Sequence, residues 1–420
     1  MRPARFPSKL RRPLAAAVLA AVALGVQTVS HEGLSWSSAR AQETVRAEVG
    51  KPLQAARDLI KAQRHKEALA KLREADAVPN RTAYENFVIE QMRAAAATQA
   101  GDNEQAIKSL RALLDSGRLP EAEQGRYAAS LAGLYYRAKD YKSAATWAQR
   151  ALKHNPGDSA SRQLMIQSHF LAGDYANASR EALADIQAAE KAGQTPPEDK
   201  LQLLANVAAR NGGDKAAYLA ALERLVTYYP KREYWNDLLR RIEAKPGFSS
   251  RLQLDLYRLR AATSTLTSAN DIVEMAQLAL QEGQAAEAKR VLDNGFASGA
   301  LGKGPEAERQ KRLLALAEQR LAEAPNDLAA AAAEAAHAPD GNALVKIGLA
   351  YTGMGQHDKG IKLIQQGIAK GGLKRREDAN LHLGIAYMRA GEKARAAQAF
   401  RQVAGSDGAA DLARLWLRVG

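Results

Sequence analysis

Apolar and polar residues alternate along most of this chain with the period of an amphipathic helix. Residues 125–158 show the pattern most clearly. Three apolar residues mark one face of a first helix: Leu131, Ala132 and Tyr135. Three small residues mark one face of a second helix: Ala144, Ala148 and Ala151. Lys139-Asp140 lies between the two faces, and Pro156 ends the second helix because it has no N–H to donate. The pattern therefore predicts two antiparallel helices joined by a tight turn.

The same spacing returns twice near the C-terminus. One segment reads LGIAYMRAGEKARAAQAF, with signature positions at Leu383, Gly384, Tyr387, Ala396 and Phe400. An earlier segment reads IGLAYTGMGQHDKGIKLI, with the same positions at Ile347, Gly348, Tyr351, Gly360 and Ile364. These offsets resemble the tetratricopeptide repeat (TPR), a helix–turn–helix unit of about 34 residues. The resemblance implies an all-α fold, a right-handed superhelical solenoid of antiparallel helix pairs in which each pair packs on its neighbours.

Four regions divide the sequence on this interpretation. Residues 1–41 form a signal peptide, and residues 42–190 an N-terminal TPR block. Residues 191–304 form a middle block whose signature is degenerate, and residues 305–420 a C-terminal TPR block. The C-terminal block is expected to end in a capping helix at 412–420, with Leu415, Trp416 and Leu417 packed on the last pair.

The first residues have the pattern of an export signal. Arg11 and Arg12 are the last of several basic residues, and an apolar run from Leu14 to Val26 follows them. The small-x-small sequence that ends at Ala41 predicts cleavage there and a periplasmic protein. An uncleaved anchor is the alternative. After cleavage, we expect no segment that spans a membrane.

Composition and charge exclude several classes of site. The chain has no Cys among its 420 residues, which removes disulfides, thiol nucleophiles and Cys-ligated metals. Its seven His are scattered and form no metal-binding motif. We therefore predict no catalytic, cofactor or metal residues and no enzyme activity. The net charge of +14 falls to +9 after cleavage, and export makes nucleic acid a poor candidate partner.

The remaining candidate is a surface that binds protein. The resemblance implies that the first helix of each pair lines a concave groove. Mapping the groove positions onto the three best repeats selects apolar, polar and cationic residues: Arg126, Tyr136, Arg137, Asn342, Thr352, Met388 and Arg389. Arg and Tyr are frequent in the energetic centres of interfaces. A second candidate is an aromatic patch on one edge: Tyr228, Tyr229, Tyr234 and Trp235.

These features predict a non-catalytic periplasmic scaffold that holds a segment of a cell-envelope protein in its groove. The segments 228–235 and 271–280 also resemble exported TPR proteins that accompany the TonB–ExbB–ExbD energy-transduction proteins of Gram-negative bacteria. That system is the first candidate partner. A scaffold for exopolysaccharide synthesis or export is the alternative, and a glycan-acting hydrolase is a further one. The sequence leaves the oligomeric state open.

Overall fold

The computed structural model describes residues 44–210 and 214–419. The predicted signal peptide therefore lies outside the described residues. Within the described part, the regular structure is helical, with twenty α-helices and one short 3₁₀ helix. The predicted all-α, TPR-like fold class is confirmed. No helix of the described residues is long and apolar enough to cross a membrane.

The chain divides into two compact units. The N-terminal unit contains the described residues through Lys191 together with Arg210. The C-terminal unit contains 192–209 and the described residues from Asp214 onward.

The N-terminal unit is built from eight helices. They are α1 (Ala47–Lys61), α2 (His65–Asp76), α3 (Ala83–Ala100), α4 (Asn103–Asp115), α5 (Glu121–Arg137), α6 (Tyr141–His154), α7 (Ser159–Leu171) and α8 (Tyr175–Lys191). Helices consecutive in sequence pack on each other, as the repeat pattern predicts. The turn predicted at Lys139-Asp140 separates α5 from α6. Lys139 adopts a left-handed φ of 63°, and the Asp140 carboxylate accepts a hydrogen bond from the Ser143 N–H at 3.1 Å.

The C-terminal unit begins with helices from the middle of the chain. They are α9 (Glu198–Arg210), α10 (Lys215–Tyr228), α11 (Arg232–Glu243), the 3₁₀ turn Ser250–Leu252, α12 (Gln253–Ala262), α13 (Ala269–Gln281) and α14 (Ala285–Ala297). A helix of 31 residues follows, α15 (Ala307–His337), which the repeat pattern does not anticipate. The last helices are α16 (Asn342–Gly353), α17 (His357–Lys370), α18 (Arg376–Arg389), α19 (Lys393–Arg401) and α20 (Ala409–Trp416).

Two glycines allow α16 and α17 to approach closely. A Cβ on Gly348 would lie 2.5 Å from the backbone oxygen of Gly360, and a Cβ on Gly360 would collide with the backbone of Gly348. Real Cβ atoms do not approach that closely, so the backbones pack directly on each other at this crossing. Both glycines are signature positions of the sequence pattern.

The C-terminal helix α20 differs from the predicted cap in what it contacts. Leu415 is buried, and the Trp416 ring stacks on Phe400 with centroids 6.0 Å apart, but Leu417 remains 40% exposed. The expectation that Leu417 packs on the last pair is therefore wrong. Instead, α20 also packs on α12 and pairs with residues far earlier in the chain. Asp411 accepts from Lys245 at 2.7 Å, and Glu223 lies 3.0 Å from Arg414.

Further contacts close the C-terminal unit on itself. Arg251 bonds to Asp378 at 2.8 Å and to Asp407 at 2.7 Å, and the Ser249 N–H donates to the Asp407 backbone oxygen. An array in which each pair contacts only its neighbours would have none of these links. These contacts therefore link the early helices of the unit to its last ones.

Candidate interaction surfaces

Helix α5 carries three of the predicted groove residues on one face, which we call the α5 strip (Arg126, Tyr136 and Arg137). Both arginines are exposed, and Tyr136 is half-buried. Tyr136 packs edge-on against Tyr141, with ring centroids 5.5 Å apart, and burial raises its pKa.

The two arginines of the α5 strip differ in their partners. Arg126 lies 3.4 Å from Glu123 and over the ring of Tyr127. Arg137 has no ion-pair or hydrogen-bond acceptor among the described residues, and partial burial lowers the pKa of its guanidinium. An anionic group of a partner placed beside Arg137 would therefore pair with the positive charge of its guanidinium.

Two predicted groove residues of α16 have structural roles. The Thr352 side chain is 1% exposed and donates to the Leu349 carbonyl at 2.8 Å, so it lies in the core and not on a groove. Asn342 accepts from the Lys374 N–H at 3.0 Å and donates to the Gly372 carbonyl, which fastens the loop before α18.

The predicted residues of α18, Met388 and Arg389, line a cavity of about 280 Å³ inside the C-terminal unit. Helices α12, α13, α14, α18 and α20 and the residues after α20 form its walls, which are mainly apolar. The lining residues are Arg258, Ala261, Ala262, Met275, Glu287, Arg290, Val291, Asn294, Ile385, Met388, Arg389, Trp416 and Val419.

Ion pairs hold the charged floor of this cavity in place. Arg258 Nη2 lies 2.7 Å from one Glu287 oxygen, and Arg389 Nη2 lies 2.7 Å from the other. Behind Arg258, the Asp255 carboxylate accepts from its Nη1 at 2.7 Å and lies 3.2 Å from His382 Nε2. Burial opposes charge on both carboxylates, but the neighbouring cations keep their pKa values well below the ordinary range. Glu287 is therefore a fixed anion and unsuited to donate a proton.

The predicted aromatic edge patch is only partly at the surface. Tyr234 and Trp235 are each 2% exposed, so they cannot form a surface patch. The Tyr234 hydroxyl bonds to Glu198 and Gln202, and burial together with Glu198 raises its pKa to about 12. Tyr228 and Tyr229 are half-buried, and the Tyr229 hydroxyl donates to the Pro196 carbonyl at 3.0 Å. The aromatic segment thus joins α11 to α9.

Three stretches of the sequence match family models described as tetratricopeptide repeat. One model matches residues 92–159 and 345–411, and a second matches residues 201–232. These stretches include the repeats of α5 and α6, of α16 and α17, and of α18 and α19. The chain is a tetratricopeptide-repeat protein.

Solved structures with similarity to this TPR protein have low sequence identity. A tetratricopeptide repeat protein from Parabacteroides merdae is 16% identical, with 64% of this chain and 84% of that chain covered and a TM-score of 0.27. The TPR2AB-domain:pHSP90-complex of yeast Sti1 is 18% identical, with 64% and 98% covered and a TM-score of 0.30. The structure of Naa15/Naa10 bound to HypK-THB is 17% identical, with 87% and 58% covered and a TM-score of 0.32. No curated protein matches the sequence. The identification therefore rests on the family models.

The repeats support a protein–protein interaction scaffold, and TPR folds are typically non-catalytic. The residues that sequence reasoning missed are those on the cavity floor, above all Arg258 and Glu287. Both residues lie more than a hundred positions before Arg389 in the sequence, and no repeat signature marks them. The available signal was a charged residue among core positions: Glu287 adjoins the packing residue Ala288, and Arg258 lies between Tyr257 and Leu259.

Proposed function

We propose that this TPR protein is exported to the periplasm and acts there as a non-catalytic scaffold for a cell-envelope protein. The basic residues, the apolar run and the small-x-small sequence at Ala41 support export. Fractionation of intact cells followed by N-terminal sequencing tests this step. We expect a periplasmic protein that begins at Gln42. A cytoplasmic protein that retains residues 1–41 would contradict it.

The α5 strip is the surface we assign to the partner. The observation that carries this assignment is Arg137, an exposed and partly desolvated cation with no acceptor among the described residues. Tyr136 beside it offers a rigid ring at low entropic cost, as interface centres often do. Arg126 supplies a second cation about three turns away from Arg137. This spacing suits an extended or helical segment with an acidic residue near an apolar one.

The TonB–ExbB–ExbD proteins remain the first candidate partners. The support for them is the resemblance of segments 228–235 and 271–280 to exported TPR proteins of such systems. Tyr234 and Trp235 lie in the core, so that resemblance concerns the protein as a whole and not a contact surface. The positive charge of the chain after cleavage favours an acidic segment of the partner.

Site-specific photo-crosslinking in intact cells tests the scaffold and its surface together. A photo-crosslinking amino acid replaces Tyr136 in one variant and Lys142, an exposed residue of α6, in the matched control. We expect one envelope protein to be captured at position 136 and not at position 142. Its capture should fall about tenfold or more when Arg137→Glu is added, because the reversed charge repels an acidic segment.

The outcomes separate the parts of the proposal. An identical set of captured proteins at both positions would contradict the α5 strip. Capture of an envelope protein outside the TonB–ExbB–ExbD system would retain the scaffold and exclude the first candidate. Undiminished capture in the Arg137→Glu variant would show that charge plays no part in recognition.

A further inference from the structure

The cavity of the C-terminal unit carries a surplus of positive charge. Among the described residues that line it are three arginines and one carboxylate, Glu287. Asp255 lies behind Arg258, so the two arginines of the floor, Arg258 and Arg389, are balanced by two carboxylates, and the surplus charge is that of Arg290 at the exposed rim.

The three arginines differ in the lengths of the bonds that they already make. Arg258 makes only short bonds, of 2.7 to 3.1 Å, to Glu287 and Asp255. Arg389 has one short bond, to Glu287, while its Nη1 makes only long bonds of 3.3 and 3.4 Å to Thr352 and the Leu349 carbonyl. Arg290, at the exposed rim, makes one bond of 3.4 Å, to the Gly353 carbonyl, within the described part of the chain. The weakly bonded donors of the lining therefore belong to Arg389 Nη1 and to Arg290.

The remaining walls are mainly apolar, with Asn294 as a neutral polar residue among them. Met275 and Met388 are flexible side chains that accommodate different shapes, and Val291, Ile385 and Trp416 are among the apolar residues beside them. The volume of about 280 Å³ is close to the lower end of the range for small-molecule sites. A cavity of this size with mainly apolar walls suits a short apolar group of a ligand better than a polar group.

We propose that this cavity binds a carboxylate carried on a short apolar group, with the carboxylate at Arg290 and Arg389 and the apolar group against Met275, Val291 and Trp416. A guanidinium presents paired N–H donors that match the two oxygens of a carboxylate. Two sources share this chemistry: a free amphiphilic acid and the apolar C-terminal residue of a peptide. The site lies in a different unit from the α5 strip, so either assignment can fail alone.

Calorimetric titration of the full mature chain with defined probes tests the site. Octanoate represents the free acid, and octanamide is its neutral counterpart. A short peptide ending in leucine, with a free or an amidated C-terminus, represents the second source. We expect saturable binding of octanoate or of the free-acid peptide, and at least tenfold weaker binding of the matching amide. Whichever of octanoate and the free-acid peptide binds more tightly identifies the source of the carboxylate.

Arg290→Gln is the variant that tests the geometry, since Arg290 is exposed at the rim and its loss leaves no buried anion unpaired. Arg401→Gln, an exposed position on α19 of the same unit, is the matched control. We expect about tenfold weaker binding for the first and unchanged binding for the second. Ala262→Phe, which adds bulk at the cavity wall, should also weaken binding. Equal affinity for acid and amide, equal effects of the two arginine variants, or no binding of any probe would overturn the proposal.

Discussion

At the scale of single residues, a network of buried ion pairs lies inside the C-terminal unit. Arg258 touches both Glu287 and Asp255, and each of the three side chains is almost fully buried. Removing Arg258 leaves Glu287 with Arg389 and Asp255 with His382, and buried carboxylates that lose a cation cost more than the pairing itself contributes. The network therefore fixes how α12 faces α14 more than it adds to stability.

Replacing Arg258 by Met tests that dependence. The variant keeps the apolar stem but leaves two buried carboxylates without their main cation, so we expect the free energy of unfolding to fall by about 3 to 5 kcal/mol. Urea unfolding followed by circular dichroism measures it. Arg240→Met, at an exposed arginine of α11 whose one ion pair among the described residues is with Asp237, should stay within about 0.5 kcal/mol of the parent. Similar losses in the two variants would argue against a buried network.

At the scale of elements, the crossing of α16 and α17 depends on the absence of two side chains. Replacing glycine by alanine inside a helix normally stabilises it by up to about 1 kcal/mol. At Gly348, the added Cβ meets the Gly360 backbone at 2.5 Å, and backbone cannot move aside as a flexible side chain can. The clash and the propensity thus act in opposite directions, and the clash is the larger.

The Gly348→Ala variant should accordingly lose about 1 to 3 kcal/mol of stability, the usual cost of overpacking. Gly353→Ala, in the same helix, is the control, because its Cβ would come no closer than 3.8 Å to Arg389. That control should be neutral or slightly stabilised in the same thermal unfolding measurement. A stabilised Gly348→Ala variant would mean that the two helices separate freely.

The sequence predicts elements better than it predicts what they enclose. The turn at Lys139-Asp140 and the glycines of α16 and α17 are local signals, and the structure reproduces them. The repeat position places Thr352 on a surface, and the aromatic cluster places Tyr234 and Trp235 on one, yet packing against other helices buries all three. The cavity floor is invisible for the same reason, since Glu287 and Arg389 meet only after folding. Periodicity reports which face of a helix is buried against its neighbours, but not which faces a closed unit also covers.

At the scale of the molecule, the C-terminal unit is closed by α20, and closure makes a specific prediction. Residues of α20 and its flanks pair with Glu223 and Lys245, more than 160 positions earlier. In an open array, loss of the last helix loosens only the pair beside it, because stability passes between neighbours. In a closed unit, the same loss also exposes α12.

Truncation after Asp407 removes α20 and tests closure by hydrogen exchange. We expect the amides of α12 to exchange at least tenfold faster, together with those of α18 and α19, because the closing contacts are lost. Leu417→Ala, at the exposed side chain after α20, should leave exchange in α12 unchanged. If exchange rose in α18 and α19 alone, the C-terminal unit would behave as an open array, and the contacts of Lys245 and Glu223 would contribute nothing to holding α12. Faster exchange in α12 would instead show that α20, at the far end of the unit, shields the charged face of α12, including Arg258, from water.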